Sequence, residues 1–450
     1  MSDPGIHQLA NENLSILVLD GLYLGMINAH LEENTIWARD GKKESVASRK
    51  GQTFKINESE KAEPDQDPRT PTNLSSRTVK DYIDNGMDPE NQDHGYFELH
   101  MNKYSAMTNV SVDDAALAFD DTMEPKMDFI AEKAAYTRDL QARRTLLQAY
   151  ENGLTYVTVL SASPVTTLTV KNTNGFTTRW VAGVPTAVSG SNTIEVYITN
   201  TTLGTVTRQV SGCTPGTRDD NSDMIPGTIT LSASVAEIAV GDKVISKYAT
   251  PQILPNGKST SYNLASGDKL TFLLTTRITS WMMHSGIQPH RNTGYYHFTG
   301  DTEHFNHFWE DSVFQNVFQG RYDSDEVRNG KPAVIQNILF QFTQRPARNT
   351  NEAGVVVKRA LVTGEGALCL GVYEKDPKQT YSYETESHYR TYDAENNIHH
   401  IVRKPIDALG DYFTISYKAY WGFAARTDSL FVGGSHPYSP RKRGVLILSA

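Results

Sequence analysis

The sequence predicts an α+β protein carrying an inserted all-β domain, and three observations lead there. A long helical stretch ends at Gly153, a run rich in Thr, Val, Ser and Gly follows it to Ser266, and a strictly alternating apolar segment, Phe413 to Phe423, stands near the C-terminus. With 450 residues the chain has room for about two or three domains and an ample core.

Residues 1–48 read as an N-terminal arm, because Leu14, Leu17, Val18, Leu22 and Met26 recur at helical spacing before Lys42, Lys43 and Glu44 raise the polarity. Residues 49–108 read as an extended hairpin. Phe54 and Ile56 mark one short strand, and Phe97, Leu99 and Met101 on alternate positions mark another. About forty polar, Pro-rich residues separate them, interrupted only by a helical island near Val79–Ile83 that contains Tyr82. A two-stranded hairpin is marginal by itself in water. This one is therefore expected to lie on a neighbouring subunit through Phe54, Ile56, Tyr82, Phe97, Leu99 and Met101.

Residues 109–153 predict a long helix system. Ser111 with Asp114 three positions on resembles a capping box, and Asp113 and Asp114 suit the positive end of a helix dipole. Pro125 forces a break near Asp121–Glu124 and restarts a helix in its own first turn, with Gly153 expected just past the end. The uninterrupted part spans roughly 40 Å. Met127, Ile130, Ala131 and Ala134 form one narrow stripe, while Phe129, Tyr136, Leu140 and Leu147 lie partly off it among Glu132, Arg138, Arg143 and Arg144. Two readings stay open: a helix with one buried face, or a helix covered on one side by its sheet and on the other by neighbouring subunits.

Residues 154–266 combine short β runs with Asn-Gly-type turns and little charge, the pattern of an inserted β domain. Residues 267–374 are mixed. Leu270, Leu273, Leu274, Ile278, Trp281 and Met282 form the broad apolar face of a helix ended by Gly286. GYYHF is a strand, and DTEHFNHFWEDSVFQNVF reads as one helix capped by Thr299 or Asp301, with Phe305, Phe308, Trp309, Ser312 and Val313 inward. Ala333–Phe342 and Val355–Val362 return as strands, with a turn at Gly364–Gly366. Residues 375–450 read as an antiparallel sheet packed on one face, its core Phe413, Ile415, Tyr417 and Trp421. The long helix should cover that face with Met127, Ile130 and Ala134.

The formal net charge of −9 and a pI near 5.8 argue against sequence-independent adhesion to DNA, RNA or anionic membrane. Cys213 and Cys369 match no metal or redox spacing and are expected as free thiols of a protein made in a reducing cytosol. Met1-Ser2-Asp3-Pro4 lacks a basic signal region, and the apolar run Ile16–Ile27 is short for a membrane span and carries Asp20. His304 and His307 could set two imidazoles on one helix face beside Glu303, Glu310 and Asp311. Their spacing is not that of HExxH hydrolases and no third ligand is signalled, so they are expected as surface histidines. His399 and His400 point to opposite faces of a strand. Arg441-Lys442-Arg443 reads as a solvated basic tail. No GxSxG, P-loop or GxGxxG occurs, so the expectation is a non-enzymic protein with no cofactor and no metal site.

The order of parts, arm, extended hairpin, long helix, mixed domain with a β insertion and closing sheet, resembles the major capsid proteins of tailed double-stranded DNA bacteriophages, the Hong Kong 97 fold. The phrases PGTITLSASVAEIAVGDKVISKY with PQIL, LTFLLTTRITSWMMHSGIQPHRNTGYYHF and DALGDYFTISYKAYWGFAA are similar to one branch of that family, and the resemblance covers most of residues 50–432. It implies that 49–108 is the extended loop, 109–153 the spine helix of the peripheral domain, 154–266 an insertion domain, 267–374 mainly the axial domain, and 375–450 the peripheral sheet and C-terminus. It implies self-assembly into pentamers and hexamers of an icosahedral shell that encloses double-stranded DNA without sequence-specific binding, in a virion assembled in the bacterial cytoplasm. A separate scaffolding protein is expected, because only about fifty residues precede the loop. A portal protein is a further implied partner, and a decoration protein an open one. The alternative with the same fold is an encapsulin-type nanocompartment shell, which is usually shorter and lacks so large an insertion.

Overall fold

The structure is a computed structural model that describes residues 25–46, 53–59, 94–111, 123–181, 184–200, 204–247, 249–250, 252–319, 334–373, 388–393, 398–403, 412–425 and 443–450. Three large sheets are arranged about one long helix, Met123–Tyr150, about 42 Å from end to end.

The first sheet runs β1 (Lys42–Val46), β18 (Leu368–Tyr373), β21 (Tyr412–Ala425), β20 (Ile398–Arg403) and β19 (His388–Asp393). A further strand, β3 (His94–Ser111), pairs antiparallel with β21 from Met101↔Gly422 to Ser111↔Tyr412. Its other end pairs with β2 (Thr53–Ser59), so the hairpin grows directly out of the sheet. The expected strand near Tyr96–Tyr104 is thus much longer, and Ser111 closes a strand instead of capping a helix. Tyr82 and residues 112–122 lie outside the described residues.

Residues 154–246 form their own six-stranded sheet. Its order is β4 (Leu154–Tyr156), β11 (Lys243–Ser246), β8 (Ile194–Asn200), β9 (Gly204–Pro215), β10 (Gly227–Val235) and β5 (Val165–Val170). A separate hairpin pairs β6 (Thr178–Val181) with β7 (Val184–Ala187). Apolar residues on the inner face, among them Leu168, Val196, Ile198, Val210 and Ile229, give the unit its own core. Gly153 sits at its entry with φ +76°, where a Cβ would lie 2.9 Å from Ser246 Cβ and 3.0 Å from Ala249 Cα. Only glycine lets the incoming and outgoing chains approach so closely.

The third sheet is mixed: β12 (Gln252–Ile253), β22 (Gly444–Ser449), β17 (Val356–Thr363), β13 (Tyr296–Asp301), β15 (Ile338–Thr343) and β14 (Val334–Ile335), with β16 (Ala347–Thr350) on β17. Both of its faces are covered. Val445 and Ile447 pack with Leu274, Ile278 and Phe308 on the helical side, while Leu446 and Leu448 pack with Leu146, Leu147 and Tyr150 of the long helix. The unbroken apolar run Val445–Leu448 of β22 suits this double burial. Arg443 leads into the strand and donates to the Glu365 carbonyl at 3.0 Å, while Arg441 and Lys442, expected with it as a solvated tail, lie outside the described residues.

The helix expected after Leu270 spans Phe272–His284, capped by Thr271, and Leu273 is 61% exposed instead of facing the core. The next predicted helix is two, Glu303–Glu310 and Ser312–Gln319. Asp311 separates them with an extended backbone; its carboxylate accepts from Val313 N at 3.0 Å and from Phe272 N at 2.7 Å. This break turns Phe314 inward and leaves Ser312 and Val313 exposed, contrary to the single-helix expectation. Thr302 is the N-cap, with the Asp301 carboxylate accepting from Glu303 N at 3.0 Å. No helix among the described residues is long and apolar enough to cross a membrane.

Candidate functional site

Alternation along β21 places Ile415, Tyr417, Ala419 and Trp421 on one face, where Met127, Ile130, Ala131, Ala134 and Ala135 of the long helix cover them. Ile27 and Leu31, in the helical residues 25–34, close the same cluster. Backbone pairing sets Phe413 opposite Val110.

The second face of this sheet is covered as well, at its Gly422 end. Along β3 the apolar positions change parity: Tyr104 and Ala106 pack towards the long helix, whereas Phe97, Leu99 and Met101 point to the opposite face. There they bury against Cys369, Tyr373 and Ala424, with Phe54, Ile56 and Tyr420 half-buried around them. Gly371 and Gly422 are register partners and form the floor of this pocket. A Cβ on Gly371 would fall 2.4 Å from Leu99 Cδ2, and one on Gly422 2.7 Å from Met101 Sδ. Phe97, Leu99 and Met101 were expected against a neighbouring subunit; here their own chain covers them, because two adjacent glycines leave room for the ribbon to lie on the sheet. Among the described residues, Thr53, Lys55 and His100 on the other face of the ribbon are exposed.

The buried stripe of the long helix continues past Ala134 through Arg138, Asp139, Ala142, Arg143, Leu146, Leu147 and Tyr150. Its middle is polar because three separate segments are fastened there. Asp139 Oδ1 accepts from the backbone N–H of Trp37 at 2.7 Å and of Ala38 at 3.4 Å, tying down the arm. Burial pushes the Asp139 carboxyl up to about 7, against those two donors and the charge of Arg143. Arg143 donates to Asp223 Oδ2 at 2.7 Å, to the Asp220 carbonyl at 2.9 Å and to the Arg345 carbonyl at 3.1 Å. Arg144 adds Asp223 Oδ1 at 3.1 Å and Asp220 Oδ1 at 2.7 Å. The loop between β9 and β10 of the six-stranded sheet, with Asp223 at φ 59°, is thereby clamped to the helix. Buried Arg359 reinforces the clamp, pairing with Glu151 and donating to the Ser222 carbonyl. Burial and Arg143 hold the Arg359 pKa down to about 9, so it stays charged near neutrality.

On the solvent side of the helix, Phe129 is 56% exposed. With Glu132, Lys133, Tyr136, Thr137, Leu140 and Arg345 it lines an open groove of about 390 Å³. Arg345 lies over the Tyr136 ring, 3.3 Å from its centroid. Leu147, placed off the stripe on sequence, belongs to the core.

His304 and His307 are buried, which corrects the surface expectation. His304 Nε2 meets Ser449 Oγ at 3.0 Å, and Leu270 N donates to His307 Nδ1 at 3.3 Å. Burial lowers the His304 pKa to about 3 and that of His307 to about 4, so both are neutral braces between helix and sheet.

Among solved structures, the chain is similar to the "Capsid of Ralstonia phage GP4", with 11% identity and a TM-score of 0.47 over 92% of this chain and 88% of that one. It is similar to the "Cyanophage Pam1 capsid asymmetric unit", with 8% identity and a TM-score of 0.49 over 91% and 88%. For the "Capsid structure of the Cyanophage P-SCSP1u" the values are 10%, 0.44, 92% and 88%. No family model matches the chain, and no curated protein matches it.

Proposed function

We propose that this chain is the major capsid protein of a tailed double-stranded DNA bacteriophage, a structural protein of the Hong Kong 97 fold that assembles with copies of itself into pentamers and hexamers of an icosahedral shell. The observation that carries this reading is the connection of parts. A ribbon leaves the sheet at Met101↔Gly422, one helix of 28 residues packs against two sheets, and the six-stranded sheet of residues 154–246 follows the end of that helix. A β-ribbon that leaves the sheet gives a shell subunit a means to reach a neighbour.

Because the subunit itself covers Phe97, Leu99 and Met101, the reading assigns the contact between subunits to the outer face of the ribbon and the polar stretch between its strands. The receiving surface is the solvent side of the long helix around Phe129, Tyr136 and Leu140. Scaffolding and portal proteins are the further partners, a decoration protein stays open, and the setting is a virion assembled in the bacterial cytoplasm. The net charge of −9 per subunit favours mechanical confinement of DNA over adsorption to the wall. No observation favours the nanocompartment alternative. The test is electron microscopy of the expressed protein, alone and with a candidate scaffolding protein: closed shells are expected, and a protein that stays monomeric in both conditions rejects the reading.

A further inference from the structure

Three side chains from distant parts of the sequence converge where the arm meets the third sheet. Asp40 ends the turn after residues 25–34, His290 lies in the turn leading to β13, and His297 is the second residue of β13. Each offers one ligand atom, and these atoms lie within 4.8 Å of one another. His297 Nδ1 is 2.7 Å from Asp40 Oδ2, and the two imidazoles stack with centroids 4.2 Å apart at 28°. Both histidines are buried, and Asp40 is largely shielded.

We propose that Asp40, His290 and His297 form a binding site for a divalent transition-metal ion, with zinc the best match. Two imidazole nitrogens and one carboxylate oxygen are a borderline donor set that suits Zn²⁺. Bonds of about 2.0–2.1 Å at tetrahedral angles put neighbouring donors roughly 3.4 Å apart, so from the present arrangement, with donors within 4.8 Å of one another, the two stacked rings rotate apart to aim their nitrogens at one point. A space of about 10 Å³, lined by Asp40 and His290 with Trp37 and Thr363, adjoins the cluster. It is just large enough to hold one water-sized particle and so a single ion.

The surrounding groups are arranged as outer partners of such a site. Thr293 Oγ1 meets His297 Nε2 at 2.7 Å and Thr363 Oγ1 meets His290 Nε2 at 3.3 Å, which fixes both rings. Glu365 Oε2, 3.9 Å from His290 Nδ1, is the nearest candidate for a fourth position. The metal binds His297 Nδ1 in the tautomer that carries the ring proton on Nε2, where Thr293 Oγ1 accepts it, so the ligand stays a neutral imidazole. The bound ion joins the arm to β13, so the site acts as a structural staple. This inference does not depend on the capsid reading.

The experiment titrates the chelator-treated full-length protein with Co²⁺ and then with Zn²⁺. One equivalent of Co²⁺ per chain should give the visible bands of four-coordinate cobalt, Zn²⁺ should abolish them, and Zn²⁺ should raise Tm. His297→Asn, His290→Asn and Asp40→Asn, each checked for fold by circular dichroism, should weaken binding at least about tenfold. The exposed-site control His284→Asn should not. Absence of the bands and of retained zinc in the wild type overturns the proposal, as does wild-type affinity in any folded variant of the three.

Discussion

Replacing Gly371 by alanine puts a methyl group where Leu99 and Met101 now sit, 2.4 Å from Leu99 Cδ2 and 2.7 Å from Met101 Sδ. Both atoms are ends of flexible side chains, so the ribbon shifts instead of detaching, at an overpacking cost of about 1–3 kcal/mol. Leu99→Ala by itself, at a fully buried position, costs about 2–5 kcal/mol through lost burial and the cavity left behind. In the double variant the new methyl occupies that cavity, and the total should fall short of the sum by at least about 1 kcal/mol. Gly422→Ala is the internal control, because its Cβ also meets the His100 carbonyl oxygen at 2.9 Å, a backbone atom that truncating Leu99 does not remove. Urea unfolding midpoints and slopes of the six proteins give the cycle. Additivity of Gly371→Ala and Leu99→Ala within about 0.5 kcal/mol would mean that the ribbon does not rest on the glycine floor.

Other outcomes follow from the same contacts. Ile130→Asp and Ala134→Asp each bury an unpaired charge against Ile415, Tyr417 and Trp421 and should cost several kcal/mol in denaturant titration, whereas exposed Lys133→Ser should be nearly silent; equal stability of the three would take the helix out of the core. His304 and His307 have folded pKa values near 3 and 4, below the unfolded value, so the unfolded chain binds more protons in acid. Their contribution is present above about pH 6.5 and is lost as pH falls towards 3, at up to about 1.4 kcal/mol per pH unit for each, and His304→Gln should flatten the slope; an unchanged slope contradicts this. Deleting residues 57–94 should leave a folded, soluble subunit that no longer closes shells, and normal particles from the deletion would refute the role given to the ribbon. Purified subunits should show no affinity for double-stranded DNA at physiological salt in a filter-binding assay; tight, salt-sensitive binding would reveal a basic face.

The alternating strand and the first half of the long helix were legible in the sequence because their partners repeat at fixed period: Ile415, Tyr417, Ala419 and Trp421 against Met127, Ile130 and Ala134. The second half of the helix was not. Arg138 and Arg143 read as lying off the apolar stripe and Asp139 carried no reading, yet all three are buried, and the partners of Asp139 and Arg143, Trp37, Asp223 and Arg345, stand far away in sequence. The sequence does carry one signal of the second core: the apolar residues of β3 switch from odd to even positions between Met101 and Tyr104, which marks a strand that serves two cores. His304 and His307 likewise stand among Phe305, Phe308 and Trp309, a density of aromatics that fits a buried helix better than a surface one. The meeting of Asp40 with His290 and His297 depends on tertiary packing alone and leaves no local trace.

The central claim is that this subunit builds a closed shell in which the ribbon of one copy reaches the long helix of another. Electron cryomicroscopy of the particles formed by the expressed protein tests it most directly. The account predicts icosahedral shells in which the ribbon's outer face and the residues between its strands lie over a neighbour's Phe129, Tyr136 and Leu140. Particles in which that helix face meets no other subunit, or a protein that forms no particles with any scaffold, would contradict it.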